Sequence, residues 1–236
     1  DSRAWMPPAY CGFALWYLSV NRNKKSVTLD YSRPEGRELL HALVGSADVL
    51  VTNQVGRVQR KLAVDYDTVR AIKPDIVFVS ITGFGLNGAR SDDPCYDLIA
   101  EGHSGVMDLT GEAENGPQKV GTPAADLLAG ADAAMACLAA LVDRQRSGKG
   151  HLIDVSLVES MTRFMTPRIA SYLGTGEVPR RTGAKDSVIA VYQVFPTADE
   201  PLTLGLPTQA IWRRFCDAVG RPDLANSDDY KDNSAR

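Results

Sequence analysis

The first half of the chain alternates between short apolar runs and amphipathic stretches, and this alternation constrains the fold more than any other feature. DVLVTN (48–53) is an apolar strand pattern, and DYDTVRAIKP (65–74) is a helical pattern that stops at Pro74. DIVFVSITGFG (75–85) is a β-branched strand pattern with a glycine turn after it. Strands that alternate with helices favour an α/β fold, in which a parallel sheet carries helices on its faces.

Similar patterns flank this core. SVTLDY (26–31) alternates and predicts a strand, and the next fifteen residues predict a helix with Pro34 in its first turn. Because ligands of parallel sheets gather at the carboxyl ends of the strands, we expect a site near Asp30, Asn53 and residues 82–85. The second half predicts a long helix over 126–146, a strand that becomes helical near Val158, a β-hairpin and a further helix ending at Gly220.

Composition excludes several classes of function. A net charge of -3 and a pI near 5.7 do not favour binding to nucleic acid or to an anionic membrane surface. The three histidines lack paired spacing, so no metal site is predicted. The four cysteines are scattered, which favours free thiols in a cytoplasm-like compartment. No apolar run is expected to reach the length of a membrane span.

Asp126 opens the long helix of the second half, directly after a Gly-Thr-Pro turn. Its simplest interpretation is a helix cap, because Asp accepts hydrogen bonds from the free N–H groups of a first turn. The alternative is a nucleophilic carboxylate that forms a covalent acyl intermediate. His103 as an acid or base and Cys95 as a nucleophile are weaker candidates, because a lone His or a packed thiol is usually structural.

Six segments occur in an order that resembles family III CoA-transferases, the group that contains formyl-CoA transferase and relatives of carnitine CoA-transferase. They are YLSVNRNKKSVTLD, ADVLVTN, IVFVSITGFGLNG, YDLIAEGHSGVMDLTGE, PQKVGTPAADLLAGADAAMACLAALVDRQRSGKGHLIDVSL, and YLGTGEVPRR with VYQVFPTAD. The resemblance implies a Rossmann-like large domain over 1–173, a linker over 174–187, and the beginning of a smaller α+β domain over 188–236. It also implies an interlocked homodimer with no tightly bound cofactor.

The resemblance assigns the catalytic role to Asp126. In that family the carboxylate attacks an acyl-CoA thioester, and CoA then returns to form an aspartyl thioester from which an acceptor carboxylic acid takes it. The implied CoA contacts fall on three segments of this chain and one lysine: Leu29, Asp30 and Tyr31; Asn53, Gln54 and Val55; Lys61; and Cys95, Tyr96 and Asp97. Gln54 stands where the family usually has Phe, and Gly56-Arg57 replaces a Pro-Gly pair.

Two other interpretations stay open. One is a 2-methylacyl-CoA racemase on the same fold, but its catalytic His falls on Tyr96 here. The other is a catalytically silent CoA-binding or assembly module, because the family's N-terminal unit and C-terminal segment are not in this sequence. On this comparison we expect the chain to be truncated at both ends relative to the family.

Overall fold

The computed structural model describes residues 2–236, which form two compact units, one ending at Ser46 and the other beginning at Ala47. The first unit contains a short antiparallel pair and two helices: β1 Ala9–Tyr10, β2 Phe13–Ala14, α1 Leu15–Val20 and α2 Pro34–Gly45. Helix α2 has the predicted proline in its first turn. The strand predicted over 26–31 was wrong: among the described residues no neighbouring strand pairs with this segment, and Val27 is exposed. Alternation alone does not make a strand, because a strand also needs a partner for its backbone groups.

The second unit holds the remaining helices and strands. In chain order they are β3 Val49–Thr52, α3 Gly56–Leu62, α4 Tyr66–Ile72, β4 Val77–Thr82, α5 Asp97–Ser104, α6 Val106–Leu109, α7 Ala124–Ser147, β5 His151–Ser156, α8 Leu157–Phe164, α9 Thr166–Thr175, β6 Tyr192–Phe195, β7 Leu202–Gly205, α10 Gln209–Ala218 and α11 Pro222–Ala225. The strands predicted in this unit, the long helix and the hairpin are confirmed, whereas α3 and α9 were not predicted.

Strands β3, β4 and β5 form a parallel sheet in that order, as the alternation of strands and helices predicts. The central strand β4 has almost no exposed surface, which is why its sequence is a continuous β-branched run instead of an alternation. Thr82 lies opposite Ser156, so β4 and β5 end together. The loops that follow β3 and β4 therefore leave the same edge of the sheet.

Helix α7 covers this sheet with its small residues. Its buried positions are all alanines, and they pack with Val77, Val79 and Val155 in the main core: Ala125, Ala129, Ala133 and Ala140. Alanine lets the helix approach the strands closely. Leu128 and Leu141 pack partly buried against the same core, whereas four other large apolar side chains of α7 are more than half exposed: Leu127, Met135, Leu138 and Val142.

Helix α7 also has the length and composition of a membrane span, with a mean hydropathy of 1.7 over its most apolar window. The expectation that no apolar run reaches that length was therefore wrong, because a run of alanines scores as apolar although alanine also suits a core helix. One such helix is weak evidence of a span. One face of α7 packs its alanines on the sheet, and Asp132 on this helix forms an ion pair with Arg163 of α8.

The C-terminal part of the second unit is a β-hairpin with a helix beside it. Strands β6 and β7 pair antiparallel, and Leu206, Trp212 and Cys216 form a separate apolar cluster there. The segment 174–187 has contacts with α6 and with the loop after it, since Arg181 forms an ion pair with Asp108 and the Gly183 amide donates to the Gly111 carbonyl. The linker and the domain boundaries on either side of it stay predictions.

Candidate active site

The loop after β3 is held in place by a buried glutamine. Gln59 of α3 is almost without exposed surface, and its side-chain amide donates to the Gln54 carbonyl at 2.6 Å and to the Ser80 hydroxyl at 2.9 Å. A buried amide with both of these partners fixes the loop that carries Asn53, Gln54 and Val55 against β4. The sequence did not single out Gln59, because α3 itself was not predicted.

The loop after β4 is a glycine turn that packs against the segment before α5. A Cβ atom on Gly83 would come within 2.0 Å of the Cys95 Cβ, so only glycine fits beside this cysteine. The Leu86 amide donates to the Asp154 carboxylate at 2.8 Å, and this contact ties the turn to β5. Glycine here serves close packing of one loop on another.

The segment before α5 lies next to both loops. The Arg57 amide at the start of α3 donates to the Asp92 carboxylate at 3.1 Å, which joins the loop after β3 to the segment that carries Cys95, Tyr96 and Asp97. Tyr96 is largely exposed at this edge, with 71% of its surface open to solvent. Two of the three predicted contact segments, 53–55 and 95–97, are thus linked through the nearby residues Arg57 and Asp92. Lys61 is exposed on the last turn of α3.

Asp97, the first residue of α5, supplies the hydrogen-bond acceptor for the N-terminus of α7. One oxygen of its carboxylate accepts from the Ala125 amide at 2.8 Å and, more weakly, from the Asp126 amide at 3.4 Å. A carboxylate at a helix N-terminus is favoured by the unpaired N–H groups of the first turn. The first turn of α7 is therefore capped from another helix.

Asp126 is not the cap that its position in the sequence suggested. Helix α7 begins at Ala124 and its N-cap position is Pro123, so Asp126 lies inside the first turn. The cap prediction was wrong because the Asp97 carboxylate already takes the amides in question. Within residues 2–236 the Asp126 carboxylate has no hydrogen-bond or ion-pair partner, and it lies on an exposed part of the helix.

The surroundings of Asp126 disfavour its charge. Although the residue as a whole is exposed, partial desolvation of its carboxyl group, and then the nearby Asp97 carboxylate, raise the pKa of Asp126 above its usual value of 3.8. The pKa of the Cys95 thiol is also raised, first by its own burial and second by the charge of Asp126, so the two side chains lie near each other. Cys95 therefore has the environment of a protonated thiol, in agreement with a packing role.

Glu101 is a buried acid that the sequence analysis missed. It lies four residues after Asp97, on the same face of α5, and has no exposed surface. One oxygen of its carboxyl group accepts from the Val120 amide at 2.8 Å, the other oxygen meets no hydrogen-bond donor among the described residues, and the Asp97 carboxyl lies beside the group. The spacing of four residues between two acids was the available signal, whereas the burial is visible only in the structure.

Three predicted contact residues lie in the first unit. The Asp30 side chain accepts from the amide and hydroxyl of Ser32 and pairs with Arg33 at 3.2 Å, and the Asp30 carbonyl packs against Gly36 of α2. Leu29 and Tyr31 on either side are partly buried. These residues form the turn that leads into α2.

His103 and a cavity lined by Gly105 lie toward the C-terminal end of α5, away from Asp97. An Arg90 guanidinium nitrogen lies 3.0 Å from one ring nitrogen of His103, and Phe84 meets the ring edge-on. A cavity of about 280 Å³ is lined by Gly105, Leu109, Met165, Ile169 and Tyr172. Gly105 ends α5, so this cavity begins at the opposite end of that helix from Asp97.

The second unit thus has a parallel α/β core in which loops from neighbouring strands meet an unpaired carboxylate at a helix start. The family model for CoA-transferase family III matches residues 1–236, and the chain belongs to that family. It is 36% identical over 242 residues to a succinate–glutarate CoA-transferase of Agrobacterium fabrum, covering 100% of this chain and 60% of the relative. It is 34% identical to the succinyl-CoA:glutarate CoA-transferase of Mus musculus, covering 100% of this chain and 54% of the relative.

Among solved structures, a CaiB/BaiF family protein from Brucella suis is similar, with a TM-score of 0.85 and 35% identity. That match covers 100% of this chain and 64% of the Brucella chain. The chain therefore spans 54% to 64% of the lengths of these relatives. The Rossmann-like α/β fold that the sequence predicted is confirmed.

Proposed function

We propose that the protein transfers coenzyme A between an acyl-CoA donor and a carboxylic acid acceptor, with the Asp126 carboxylate as the covalent acceptor. The observation that carries the proposal is the division of roles at the start of α7. Asp97 takes the amide N–H groups of the first turn, so the Asp126 carboxylate is left without a partner at an exposed position. A nucleophile needs this freedom, because a carboxylate engaged in hydrogen bonds is a weaker nucleophile.

The proposed reaction proceeds by four exchanges at carbonyl carbons. The Asp126 carboxylate attacks the donor thioester, which forms a mixed anhydride and releases CoA thiolate. The thiolate attacks the aspartyl carbonyl, which gives an aspartyl-CoA thioester and releases the donor acid. The acceptor carboxylate attacks this thioester and forms a second anhydride, and the thiolate attacks the acceptor's carbonyl to yield the new acyl-CoA and free Asp126. No proton is consumed and nothing is oxidised.

The substrate class is proposed from the relatives. Proteins named succinate–glutarate and succinyl-CoA:glutarate CoA-transferase align over the whole of this chain. We propose a succinyl-type donor and a dicarboxylic acid acceptor, with CoA held by Asn53, Gln54, Val55, Lys61, Cys95, Tyr96 and Asp97 and by Leu29, Asp30 and Tyr31. The acyl-CoA is a substrate, and no tightly bound cofactor is proposed. We also propose that the active form is a homodimer and that it works in the cytoplasm.

The test of the nucleophile is an exchange assay with a trapping arm. The protein is incubated with succinyl-CoA and a panel of dicarboxylic acids, and new acyl-CoA is followed by chromatography. Intact-protein mass spectrometry should find a CoA adduct, and peptide mapping should locate it at Asp126. The Asp126→Asn variant should lose the adduct and at least a thousandfold in kcat, on the order of the loss for a removed nucleophile.

Asp143→Asn is the matched control, because it makes the same chemical change on an exposed acid near the other end of α7. It should keep full transfer activity and the adduct. Transfer by Asp126→Asn at the wild-type rate would refute the assigned nucleophile. Binding of CoA by the wild type without any exchange would instead support the silent CoA-binding module.

A further inference from the structure

The loop that leads into α7 is fixed at both of its ends by a pair of acids on α5. At one end the Val120 amide donates to Glu101, and at the other end the Ala125 and Asp126 amides donate to Asp97. Asp97 and Glu101 are one helical turn apart, and their carboxyl groups are neighbours. The four residues between Val120 and Ala125 therefore lie between two contacts to neighbouring acids on one helix.

Two carboxyl groups can share a hydrogen bond only if one of them carries a proton. Asp97 accepts from backbone amides of α7, which is the role of an ionised carboxylate. Glu101 has no exposed surface, and its second oxygen meets no N–H or hydroxyl donor in the part of the chain that the structure describes. The proton is thus placed on Glu101, where it turns an unsatisfied buried oxygen into a donor.

We propose that Glu101 is a positioning residue that stays protonated, donates a hydrogen bond to Asp97, and so fixes the loop and first turn that present Asp126. The inference rests on the proposed function, because it assigns Glu101 the role of orienting Asp126 as the nucleophile. Glu101 does not touch the reacting atoms; it acts through Asp97.

The electrostatic surroundings agree with this assignment. The pKa of Glu101 is raised above its usual value of 4.5, chiefly by burial, and the neighbouring Asp97 carboxyl raises it further. The Val120 amide and the Lys119 ammonium act in the opposite direction. Beyond Asp97 lie Asp126 and Cys95, and neither of them adds a positive charge that would favour ionised Glu101.

Glutamine is the neutral isostere of a protonated glutamic acid, and this makes the test sharp. In Glu101→Gln the amide can donate to Asp97 while the carbonyl accepts from Val120, so kcat should stay within about twofold of the wild type. Glu101→Leu keeps the bulk and removes both contacts. It should lower kcat on the order of 10- to 100-fold with little change in the KM for acyl-CoA, because a misplaced nucleophile affects the chemical step.

Infrared spectroscopy tests whether Glu101 carries a proton, and it does so independently of any measurement of enzyme activity. The infrared difference spectrum of wild type minus Glu101→Gln at neutral pH should contain the C=O stretching band of a protonated carboxylic acid. Glu114→Gln is the control, since it makes the same chemical change at a glutamate that is exposed to solvent. The Glu114→Gln difference spectrum should contain a carboxylate band instead. This readout separates the Glu101 proposal from the proposed function, because it holds even if no CoA transfer is found.

Three outcomes would overturn the proposal. The first is the absence of the protonated-acid band, which would mean that Glu101 is ionised. The second is a kcat of Glu101→Gln as low as that of Glu101→Leu, which would mean that an ionised Glu101 is needed. The third is full kcat in Glu101→Leu. Circular dichroism of each variant identifies any failure to fold, and if Glu101→Leu does not fold, the infrared band and the kcat of Glu101→Gln still decide.

Discussion

Asp126 and Asp97 differ in what surrounds their carboxylates, although both lie in the first turn of a helix. The Asp97 carboxylate accepts from amides at the start of α7, whereas the Asp126 carboxylate accepts from none of the described residues. Hydrogen bonds from backbone amides stabilise a carboxylate and reduce its tendency to attack. The two aspartates are therefore suited to different tasks, one to holding the helix and the other to chemistry.

The acid limb of the pH profile should report the ionisation of Asp126. The nucleophile must be deprotonated, and its pKa is raised by partial burial and by the Asp97 charge, so kcat/KM should fall on acidification with a midpoint above 3.8. Asp97→Asn removes the negative neighbour and should move this midpoint to lower pH, even though the weakened cap lowers the plateau. The measurement is kcat/KM against pH for both proteins.

Asp143→Asn serves again as the control for that profile, because Asp143 lies near the C-terminal end of α7 and pairs with His151. Its acid midpoint should match that of the wild type. An Asp97→Asn midpoint equal to or above the wild-type midpoint would show that the Asp97 charge does not act on the nucleophile.

The order of motifs along the chain indicated a catalytic role for Asp126, whereas the local sequence around it indicated a helix cap. A helix cap was the sound local inference from an Asp after Gly-Thr-Pro, and it failed because the cap comes from Asp97, 29 residues earlier. Glu101 could be paired with Asp97 from its spacing alone. That Glu101 is buried with one oxygen unpaired depends on how α5 packs, which no local pattern contains.

Among the helices and strands, those with strong periodicity were predicted and those without it were missed. The continuous apolar run of β4 and the long helical pattern of α7 were read correctly from the sequence. Helix α3 carries Arg57, Arg60 and Lys61 and buries Gln59, so it lacks the apolar spacing that marks a helix. The strand predicted at 26–31 failed for the opposite reason, since its alternating pattern has no strand beside it.

Gly130 and Gly83 give opposite predictions for the same substitution. Gly130 lies inside α7, where an added Cβ meets nothing within 4 Å, so Gly130→Ala should raise the free energy of unfolding by about 1 kcal/mol through helix propensity. At Gly83 the added Cβ would collide with the Cys95 Cβ. Gly83→Ala should therefore lower the free energy of unfolding by about 1–3 kcal/mol.

Both glycine variants are measured by urea unfolding, and the slope of the transition shows whether it stays two-state. The helical content at neutral pH should be unchanged in each. Destabilisation by Gly130→Ala would mean that this face of α7 is covered closely in the protein, contrary to the open space around it.

On the scale of the whole molecule, the notable property is how much apolar surface lies open. Large side chains are exposed on α7 and also in the first unit, where Trp5, Tyr10 and Phe13 are at least half exposed. Monomeric soluble proteins rarely leave large contiguous apolar patches uncovered, and such surface favours association. The chain spans 54% to 64% of its relatives' lengths. We therefore propose that this apolar surface takes part in assembly, and we assign it to no particular partner.

Association of two chains is the prediction that belongs to this scale. One chain has a mass of 25.5 kDa, and light scattering should give about twice that value if the proposed homodimer forms. Because a dimer that binds only in the folded state is stabilised by mass action, the thermal unfolding midpoint should rise as the protein concentration rises. The measurement is a concentration series by both methods, with Gly130→Ala included as a variant that should change the midpoint but not the mass. A mass of one chain at every concentration, together with a midpoint that does not move, would contradict the homodimer.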